Sequence, residues 1–384
     1  MEYLSSEIII DILSRLPVET VLICKLVCQE WLVLLRCTYF SNMHSRLHLL
    51  QLDHVNNKYL CDSKDSVKFE LGFHILLAIT HVDKKDKKRK VELYYGDYVD
   101  GNICCSKFKR LNHPPCTALY SSVIGSCHGL VCMTGERQDP VHIFNPLTGE
   151  QVDLPIFEKD NDPSRIMKAG FGYVPSKNEY KVVRVFYPAN LMAMGQVQVY
   201  TLGDGNGWRD QGEINYELFP SSGVFADGAI HWIHLERQKI VSFDLEDEVF
   251  RYLPLPPLLS CANYHTRLVV LRGCVSLVQG SIPPTYEIEV WSLRQKFWVW
   301  EFKLVPTAYG YDPFAVTKNG EVLLSHYKKI LSIYNPNIKA LNILLRRDNI
   351  NVNSSRVQAV LHMNSFVSLK AIGEKETKTR RQLR

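Results

Sequence analysis

A repeating pattern of a glycine, an aromatic residue with Asn or Asp, and a leucine constrains the fold of this chain most. In three copies a glycine opens an apolar run, an Asn or Asp preceded by an aromatic residue follows 16, 16 and 15 residues later, and a leucine follows nine residues after that. The copies contain Gly129, Asn145 and Leu154; Gly228, Asp244 and Leu253; and Gly320, Asn335 and Leu344. A repeat of this kind indicates an architecture built from one supersecondary unit.

Each repeat reads as four short strands separated by turns. Runs rich in Val, Ile, Tyr, Phe and Trp alternate with Gly, Asn, Asp and Pro. Two further units lie at 168–210 and 267–300, and a less regular one precedes residue 112. We therefore predict an all-β propeller-like domain of about six blades with a period of about 45 to 50 residues. We expect the segment 357–369 to supply a closing strand.

Two sets of recurrent residues have structural interpretations. The Asn or Asp of each copy is expected to open a turn by bonding its own backbone. The tryptophans that recur in strands are expected to pack between blades; they are Trp208, Trp232, Trp291, Trp298 and Trp300.

The first 50 residues follow a helical pattern instead. Ile8, Ile9, Ile12, Leu13 and Leu16 recur at the spacing of one helix face. Pro17 ends that helix, a second apolar run follows, and Trp31 opens a third short apolar face. We divide the chain into a small all-α unit of three helices at 1–48, the β domain at 58–370, and a basic tail at 371–384 that we expect to be disordered.

The stretch Gly125-Ser126-Cys127-His128-Gly129 matches the nucleophile elbow of hydrolases, with cysteine in the place of serine. That elbow requires a helix after the turn, whereas the strand-like run LVCM follows here. In the repeat, this stretch occupies the position of an Asp-Gly and an Asn-Gly pair, which are strong hairpin signals. We therefore interpret it as a hairpin and expect no catalytic residue.

The amino-acid composition does not indicate a particular class of binding partner. The net charge of +5 is small for 384 residues and the basic residues do not gather on one predicted element, so no nucleic-acid partner is expected. The eleven cysteines are irregularly spaced, which favours free thiols in a reducing compartment. The sequence shows no secretory signal, membrane span or metal-binding motif. We expect a protein of the cytoplasm or nucleus that uses no cofactor or metal.

Residues 4–44 resemble the F-box motif. The resemblance rests on Leu4, on Ile12-Leu13, on the break at Leu16-Pro17-Val18, and on Val27-Cys28 before Trp31. Two positions depart from the usual motif, since Ser5 stands where proline is usual and Gln29 where lysine is usual. The motif implies binding to a Skp-family adaptor. The residues it implies for that contact are Leu4, Ile9, Ile12, Leu13, Leu16, Pro17, Val18, Val27, Cys28 and Trp31.

The rest of the chain resembles the F-box-associated propeller domain that is common in plant F-box proteins. The segments that carry this are GSCHGLVCM, IFNPLTGEQVDLP, GFGYVPSKNEYKVVRV, VQVYTLGDGNGWR, DGAIHWI, IVSFDLEDEVFRYLPLP and NGEVLL. The combined resemblance implies a non-catalytic substrate receptor of an SCF-type (cullin-RING) ubiquitin ligase. In such a receptor the F-box binds the adaptor, and through it a cullin and a RING protein. The propeller selects the protein to be ubiquitinated and degraded by the proteasome.

Strand alternation predicts the face that binds this unknown protein substrate. Successive connections within a blade alternate between the two faces, so all long and dissimilar connections fall on one face and all tight turns on the other. Binding functions usually lie on loops held by a rigid scaffold. The candidate residues of the loop face are Arg137, Met192, Met194, Arg237, Tyr286 and Tyr327.

Other interpretations stay open. A propeller hydrolase or carbohydrate-acting enzyme would need paired carboxylates or a nucleophile at the propeller mouth. A scaffold that does not join a ligase would fit the departures at Ser5 and Gln29. The helical unit is also too small to be stable alone, so it needs a partner surface, and a helical cap packed on the propeller is an alternative to the F-box interpretation.

Overall fold

The computed structural model describes most of the chain. The described residues are 4–37, 39–44, 47, 73–82, 89–99, 102–103, 108–111, 122–134, 141–156, 166–188, 194–219, 221–234, 239–256, 264–281, 286–306, 310–317, 319–326, 330–346 and 354–379. They form a small helical unit followed by a β-propeller, as the sequence predicts.

The helical unit begins with three short helices. These are α1 (Ser6–Ser14), α2 (Val18–Cys24) and α3 (Gln29–Leu34), and residues 39–44 are also helical. Ser5 lies at the N-cap of α1, and its hydroxyl oxygen accepts the N–H of Ile8 at 3.5 Å. Serine is among the preferred N-cap residues. The departure from the usual proline at this position therefore supplies a cap.

The strands form six antiparallel sheets, and each sheet is one blade. Blade 1 contains β1 (Phe73–Val82), β2 (Arg89–Val99), β3 (Asn102–Ile103), β4 (Lys109–Arg110) and β25 (Ser354–Met363). Blade 2 contains β5 (Val123–Cys127), β6 (Leu130–Thr134), β7 (Val141–Phe144), β8 (Glu150–Asp153) and β26 (Lys378–Thr379). Blade 3 contains β9 (Ile166–Val174), β10 (Glu179–Tyr187), β11 (Gly195–Thr201) and β12 (Trp208–Ile214).

The remaining three blades have four strands each. Blade 4 contains β13 (Val224–Ala226), β14 (Ala229–Ile233), β15 (Lys239–Asp244) and β16 (Val249–Pro254). Blade 5 contains β17 (Tyr264–Leu271), β18 (Cys274–Ser281), β19 (Ile288–Arg294) and β20 (Phe297–Leu304). Blade 6 contains β21 (Tyr311–Val316), β22 (Val322–His326), β23 (Ile330–Asn335) and β24 (Ala340–Leu345).

Blade 1 closes the ring by combining strands from distant parts of the chain. β25 pairs antiparallel with β1, and Phe73 lies opposite Met363. The inner strands β25, β5, β9, β13, β17 and β21 contact one another in that order, and β21 also contacts β25. The prediction of six blades with a closing strand near residue 357 is therefore confirmed.

Two-residue turns join the inner strand to the second strand in several blades. Both turn positions have positive φ at His128-Gly129 (46° and 87°), Asp227-Gly228 (50° and 74°) and Arg272-Gly273 (52° and 77°). This geometry defines the type I′ turn, whose twist matches that of the strands. Because β6 begins directly after Gly129, the elbow-like stretch is a hairpin, as predicted.

The third connection of the repeat is a turn closed by its Asn or Asp side chain. The side-chain Oδ1 accepts backbone N–H groups from Leu147 and Thr148 at Asn145, from Glu246 and Asp247 at Asp244, and from Asn337 and Ile338 at Asn335. The expected bonding of these residues to their own backbone is confirmed.

Much of the core lies between neighbouring blades. Buried apolar clusters join blades 2 and 3, blades 3 and 4, blades 5 and 6, blades 6 and 1, and blades 1 and 2. Trp232 is buried in the cluster between blades 3 and 4. Because a blade packs against a neighbour on each side, both faces of its strands can be buried. In β14, for example, all five residues are buried.

Two tryptophans also link blades by hydrogen bonds. Trp208 Nε1 donates to the carbonyl oxygen of Pro155 at 2.8 Å, and Trp298 Nε1 donates to that of Pro254 at 2.8 Å. Trp291 is half-buried. Trp300 is exposed on the outer strand β20, so the expectation of inter-blade packing is wrong for that residue.

The segment after β25 is ordered well beyond residue 371. It continues into α4 (Leu369–Ile372), and β26 then pairs with the outer edge of β8. Glu374 accepts the N–H of Gly203 in blade 3 at 2.8 Å. The prediction of a disordered tail is therefore wrong for 371–379, because these residues find partners on blades 2 and 3. Residues 380–384 lie outside the described residues.

Asp153 of β8 makes the attachment of this segment sensitive to acid. His142 Nδ1 lies 2.6 Å from Asp153 Oδ1, and Lys378 Nζ lies 3.1 Å from Asp153 Oδ2. The hydrogen bond from His142 lowers the pKa of Asp153 to about 2, against the opposing effect of burial and with the help of Lys378. A lowered pKa means that the carboxylate stabilises the fold above its ordinary value of 3.8 and loses that contribution as the pH falls through about 2.

We expect Asp153→Asn to reduce the pH dependence of the free energy of unfolding between pH 3.8 and about 2. Urea denaturation of the two proteins at a series of pH values measures this. Parallel curves for the variant and the original protein would contradict the assignment.

Candidate functional site

The helical unit exposes an unusual number of large apolar side chains. Leu26 is 85% exposed, Val33 68% and Ile23 66%. The full set also includes Leu4, Ile8, Ile12, Leu22, Val27 and Tyr39. We call these nine residues the apolar face. Exposed apolar side chains that gather on a folded protein mark an interaction site, and the nine within residues 4–39 make this unit the candidate.

The structure separates the predicted adaptor-binding residues into three groups by exposure. Exposed positions are Leu4, Ile12, Pro17, Val27 and Cys28, and half-buried positions are Ile9, Leu16 and Trp31. Leu13 and Val18 are buried, so they support the helices from inside and do not form part of the exposed surface. The sequence prediction did not include six residues of the apolar face, which are Ile8, Leu22, Ile23, Leu26, Val33 and Tyr39. Helical spacing identifies apolar positions, but it does not say which of them another part of the chain covers.

The opposite side of the helical unit packs on the propeller. Its core contains Ile10, Leu13, Val18, Val21, Leu35 and Phe40, together with Phe366 from the segment after β25. Leu147, from the turn between β7 and β8, packs against the same core. The expected partner surface of the small helical unit is therefore provided in part by the propeller, and the helical unit is also a cap on that domain.

A polar contact supports this packing at the start of α2. Glu19 Oε1 lies 3.1 Å from His74 Nε2 of β1 and accepts a hydrogen bond from Asn364 Nδ2 at 3.4 Å. Burial is the largest single effect and opposes ionisation of Glu19. The hydrogen bonds to the carboxylate, from His74, its own backbone N–H and Asn364, together with the charge of His74 outweigh burial and lower the pKa of Glu19. The carboxylate is therefore ionised at neutral pH and ties α2 to blade 1.

The helical unit lies on the tight-turn face of the propeller. Leu147 belongs to a tight turn, and β25 runs towards the same face as β5, ending at Met363 just before Phe366. The long connections begin and end at the other ends of the strands. The loop face therefore points away from the helical unit.

The structure describes two of the six candidate residues of the loop face. Met194 precedes β11 and is 46% exposed. Tyr286 precedes β19 and has a φ of 48°. Arg137, Met192, Arg237 and Tyr327 lie outside the described residues. Substrate binding by all six residues stays a prediction.

Cys127 does not have the surroundings of a nucleophile. Its side chain is buried in the cluster between blades 2 and 3, and burial raises the pKa of its thiol, so the thiolate is disfavoured. Burial lowers the pKa of the neighbouring His128 to about 4. Within the described residues, no three His, Cys, Asp or Glu side chains lie close enough together to hold a metal ion. None of the helices in those ranges is both long and apolar enough to cross a membrane.

Comparison with known proteins agrees with this architecture. The F-box domain family matches residues 1–39, and the F-box associated beta propeller domain family matches residues 104–343. The F-box protein At3g07870 of Arabidopsis thaliana is 26% identical, with 90% of this chain and 88% of that protein covered. The F-box/kelch-repeat protein At3g23880 of Arabidopsis thaliana is 24% identical, with 86% of each chain covered. The helical unit is thus an F-box, and the chain belongs to the family of F-box proteins with an F-box-associated β-propeller domain.

Proposed function

We propose that this chain is the substrate-recognition subunit of an SCF-type ubiquitin ligase. The F-box binds a Skp-family adaptor through the apolar face, and the propeller binds a target protein through the loop face. The observation that carries the proposal is the apolar face itself, since the F-box packs on the propeller with its other side.

The chemistry of the apolar face fits a protein partner. Three of its most exposed side chains, Ile23, Leu26 and Val27, lie at the end of α2 and in the turn after it. Their burial against another protein would remove this apolar surface from water, which is the main driving force of association. Arg15, the C-cap of α1, pairs with Asp11, and Glu19 of α2 pairs with His74.

Reconstitution with purified proteins tests the adaptor half of the proposal. The chain and a Skp-family adaptor should co-elute as a complex on size exclusion, and addition of cullin and RING proteins should extend it. Separate elution of the two proteins would favour a scaffold that does not join a ligase.

The loop face is the better placed of the two faces for a substrate. The F-box and the segment after β25 occupy part of the tight-turn face, whereas the loop face lies on the other side of the ring. A substrate there would be separated from the adaptor by the thickness of the propeller. Cys127 matched a hydrolase nucleophile by sequence, but it is buried between blades 2 and 3 and its thiolate is disfavoured, which supports our proposal of binding without catalysis.

We expect Arg137→Glu combined with Arg237→Glu to abolish substrate capture without changing adaptor binding, because both residues belong to long connections of the loop face. Proteins that co-purify from the native tissue, with and without proteasome inhibition, measure capture. The matched control is Lys296→Glu with Lys339→Glu, which reverses charge at two exposed tight turns. Loss of capture in the control and not in the first variant would show that the substrate face is wrongly assigned.

A further inference from the structure

Residues 364–368, which we call the strap, connect β25 to α4 and lie between the propeller and the F-box. Neighbouring side chains of the strap point to opposite sides, as in any extended chain. Val367 packs in the cluster between blades 2 and 3, and Ser365 Oγ donates to the carbonyl oxygen of His128 at 2.8 Å. Phe366, between them, is buried in the core of the F-box. The strap therefore belongs to both domains.

The propeller holds the strap through Asn145. Its Nδ2 donates to the carbonyl oxygens of Ser365 at 3.0 Å and Val367 at 2.8 Å, and the side chain is fully buried. The corresponding residue of blade 4, Asp244, closes the same kind of turn without an amide to donate. The position thus requires only an oxygen for the turn, and at Asn145 the amide group has the additional role of fixing the strap.

Gly129 allows the strap to approach the turn between β5 and β6. A Cβ at this position would lie 2.9 Å from the backbone nitrogen of Ser365 and closer still to its side chain. Its φ of 87° is also unfavourable for other residues. The hairpin whose sequence resembles a nucleophile elbow therefore packs directly against the strap.

Phe366 contacts two parts of the F-box, the end of α2 and the helical segment 39–44. The centroid of its ring lies 5.9 Å from that of Phe40 and 5.1 Å from that of His44. The His44 and Phe366 rings meet edge to face. The ammonium group of Lys25, at the end of α2, lies 4.1 Å above the ring. Ser41 Oγ donates to the backbone carbonyl of Phe366. One side chain of the strap therefore joins α2 to the helical segment 39–44.

These contacts reach the break that orients α1 against α2. His44, packed on Phe366, has its Nε2 3.0 Å from the carbonyl oxygen of Leu16, directly before Pro17. On the other side of the break, Glu19 contacts Asn364, the first residue of the strap. The strap thus orients α1 and α2, which together with their flanking residues Leu4, Leu26 and Val27 carry seven of the nine residues of the apolar face.

We infer that Phe366 is a positioning residue for adaptor binding. It lies outside the apolar face, and it acts by completing the core on which α1 and α2 are arranged. A unit of about 40 residues has little stability of its own, so the loss of one large core side chain should disorder the apolar face. The inference rests on the proposed function for its adaptor readout, but the role of Phe366 in the F-box core can be measured without an adaptor.

Hydrogen exchange of the full chain without adaptor tests the core role. In Phe366→Ala, we expect amides of α1 and α2 to exchange at least tenfold faster than in the original protein, with unchanged exchange in the blade strands. Phe366→Leu, which keeps an apolar side chain of similar reach, should restore most of the protection. Unchanged exchange in α1 and α2, or an equal increase in the blade strands, would overturn the inference.

The adaptor affinity of the same variants completes the experiment. We expect Phe366→Ala to bind a purified Skp-family adaptor at least tenfold more weakly and Phe366→Leu to bind within about threefold of the original protein. Asn145→Asp keeps the turn, as Asp244 shows, and removes the two donors that hold the strap. It should therefore also weaken binding, although Asn145 belongs to the propeller.

Asp244→Asn is the reciprocal control and should leave affinity unchanged. If the original protein does not bind the adaptor, the proposed function fails while the exchange data still decide the role of Phe366. If the original protein and Phe366→Ala bind equally well, the inference fails and the proposed function stands.

Discussion

Combined replacement of Ile23 and Leu26 with aspartate should abolish adaptor binding and leave the protein folded. The two side chains are 66% and 85% exposed in the free protein, so the new carboxylates stay hydrated there. Exposed substitutions usually change stability by no more than about 0.5 kcal/mol. In the complex, each carboxylate would be buried without a partner in an apolar contact. A loss of about 2 kcal/mol for each central position gives about 4 kcal/mol in total, or about a thousandfold in affinity.

Titration calorimetry with a purified adaptor measures this effect. Ile338→Asp is the matched control, because Ile338 is 72% exposed on a tight turn of blade 6, away from the F-box core. The control should bind as tightly as the original protein. Near-normal affinity of the double variant would mean that the apolar face is not the adaptor contact.

Trp232→Ala should cost about 3 to 5 kcal/mol in the free energy of unfolding, which is typical of truncating a large aromatic core residue. Trp232 is 1% exposed and fills the space between blades 3 and 4. A Cβ on Gly223 would lie 2.5 Å from the ring of Trp232, so the backbone at Gly223 packs closely against that ring. Removal of the ring would therefore leave a cavity.

Urea denaturation followed by circular dichroism measures this loss. Trp300→Ala removes the same side chain from an outer strand, where it is 50% exposed, and should cost less than about 1 kcal/mol. Equal losses at the two positions would argue against a core located between blades. The difference in unfolding free energy between the two variants measures how much burial between blades, rather than the tryptophan side chain alone, contributes to stability.

Local signals were sufficient to predict much of the propeller. Asp227-Gly228 and the glycine of each repeat specify turns within a few residues of chain, and strand alternation then determines the face of each connection. The same signals identified Asn145 as a turn residue. They did not reveal that its amide holds the strap, because that contact joins residues about 220 positions apart.

The division of the F-box into a covered and an exposed side was also outside the reach of the sequence. Leu13 and Ile12 are neighbours in one apolar helix, yet the first is buried and the second is 49% exposed. Leu13 belongs to the core that includes Phe366, and Phe366 meets the F-box only after the ring has brought β25 beside β1. The tail was mispredicted for a similar reason, since Glu374 and Lys378 are ordered by partners on blades 2 and 3.

Phe366 is synthesised long after the other residues of the F-box core, because it lies more than 300 residues further along the chain. The F-box emerges from the ribosome first, and more than 300 further residues are synthesised before the strap emerges. At about 5 to 20 residues per second, this takes roughly 15 to 65 seconds. During that time the nascent F-box lacks part of its core. Given the role proposed for the strap, a chain interrupted before residue 366 would recruit the adaptor poorly, so truncated receptors would compete little for the ligase machinery.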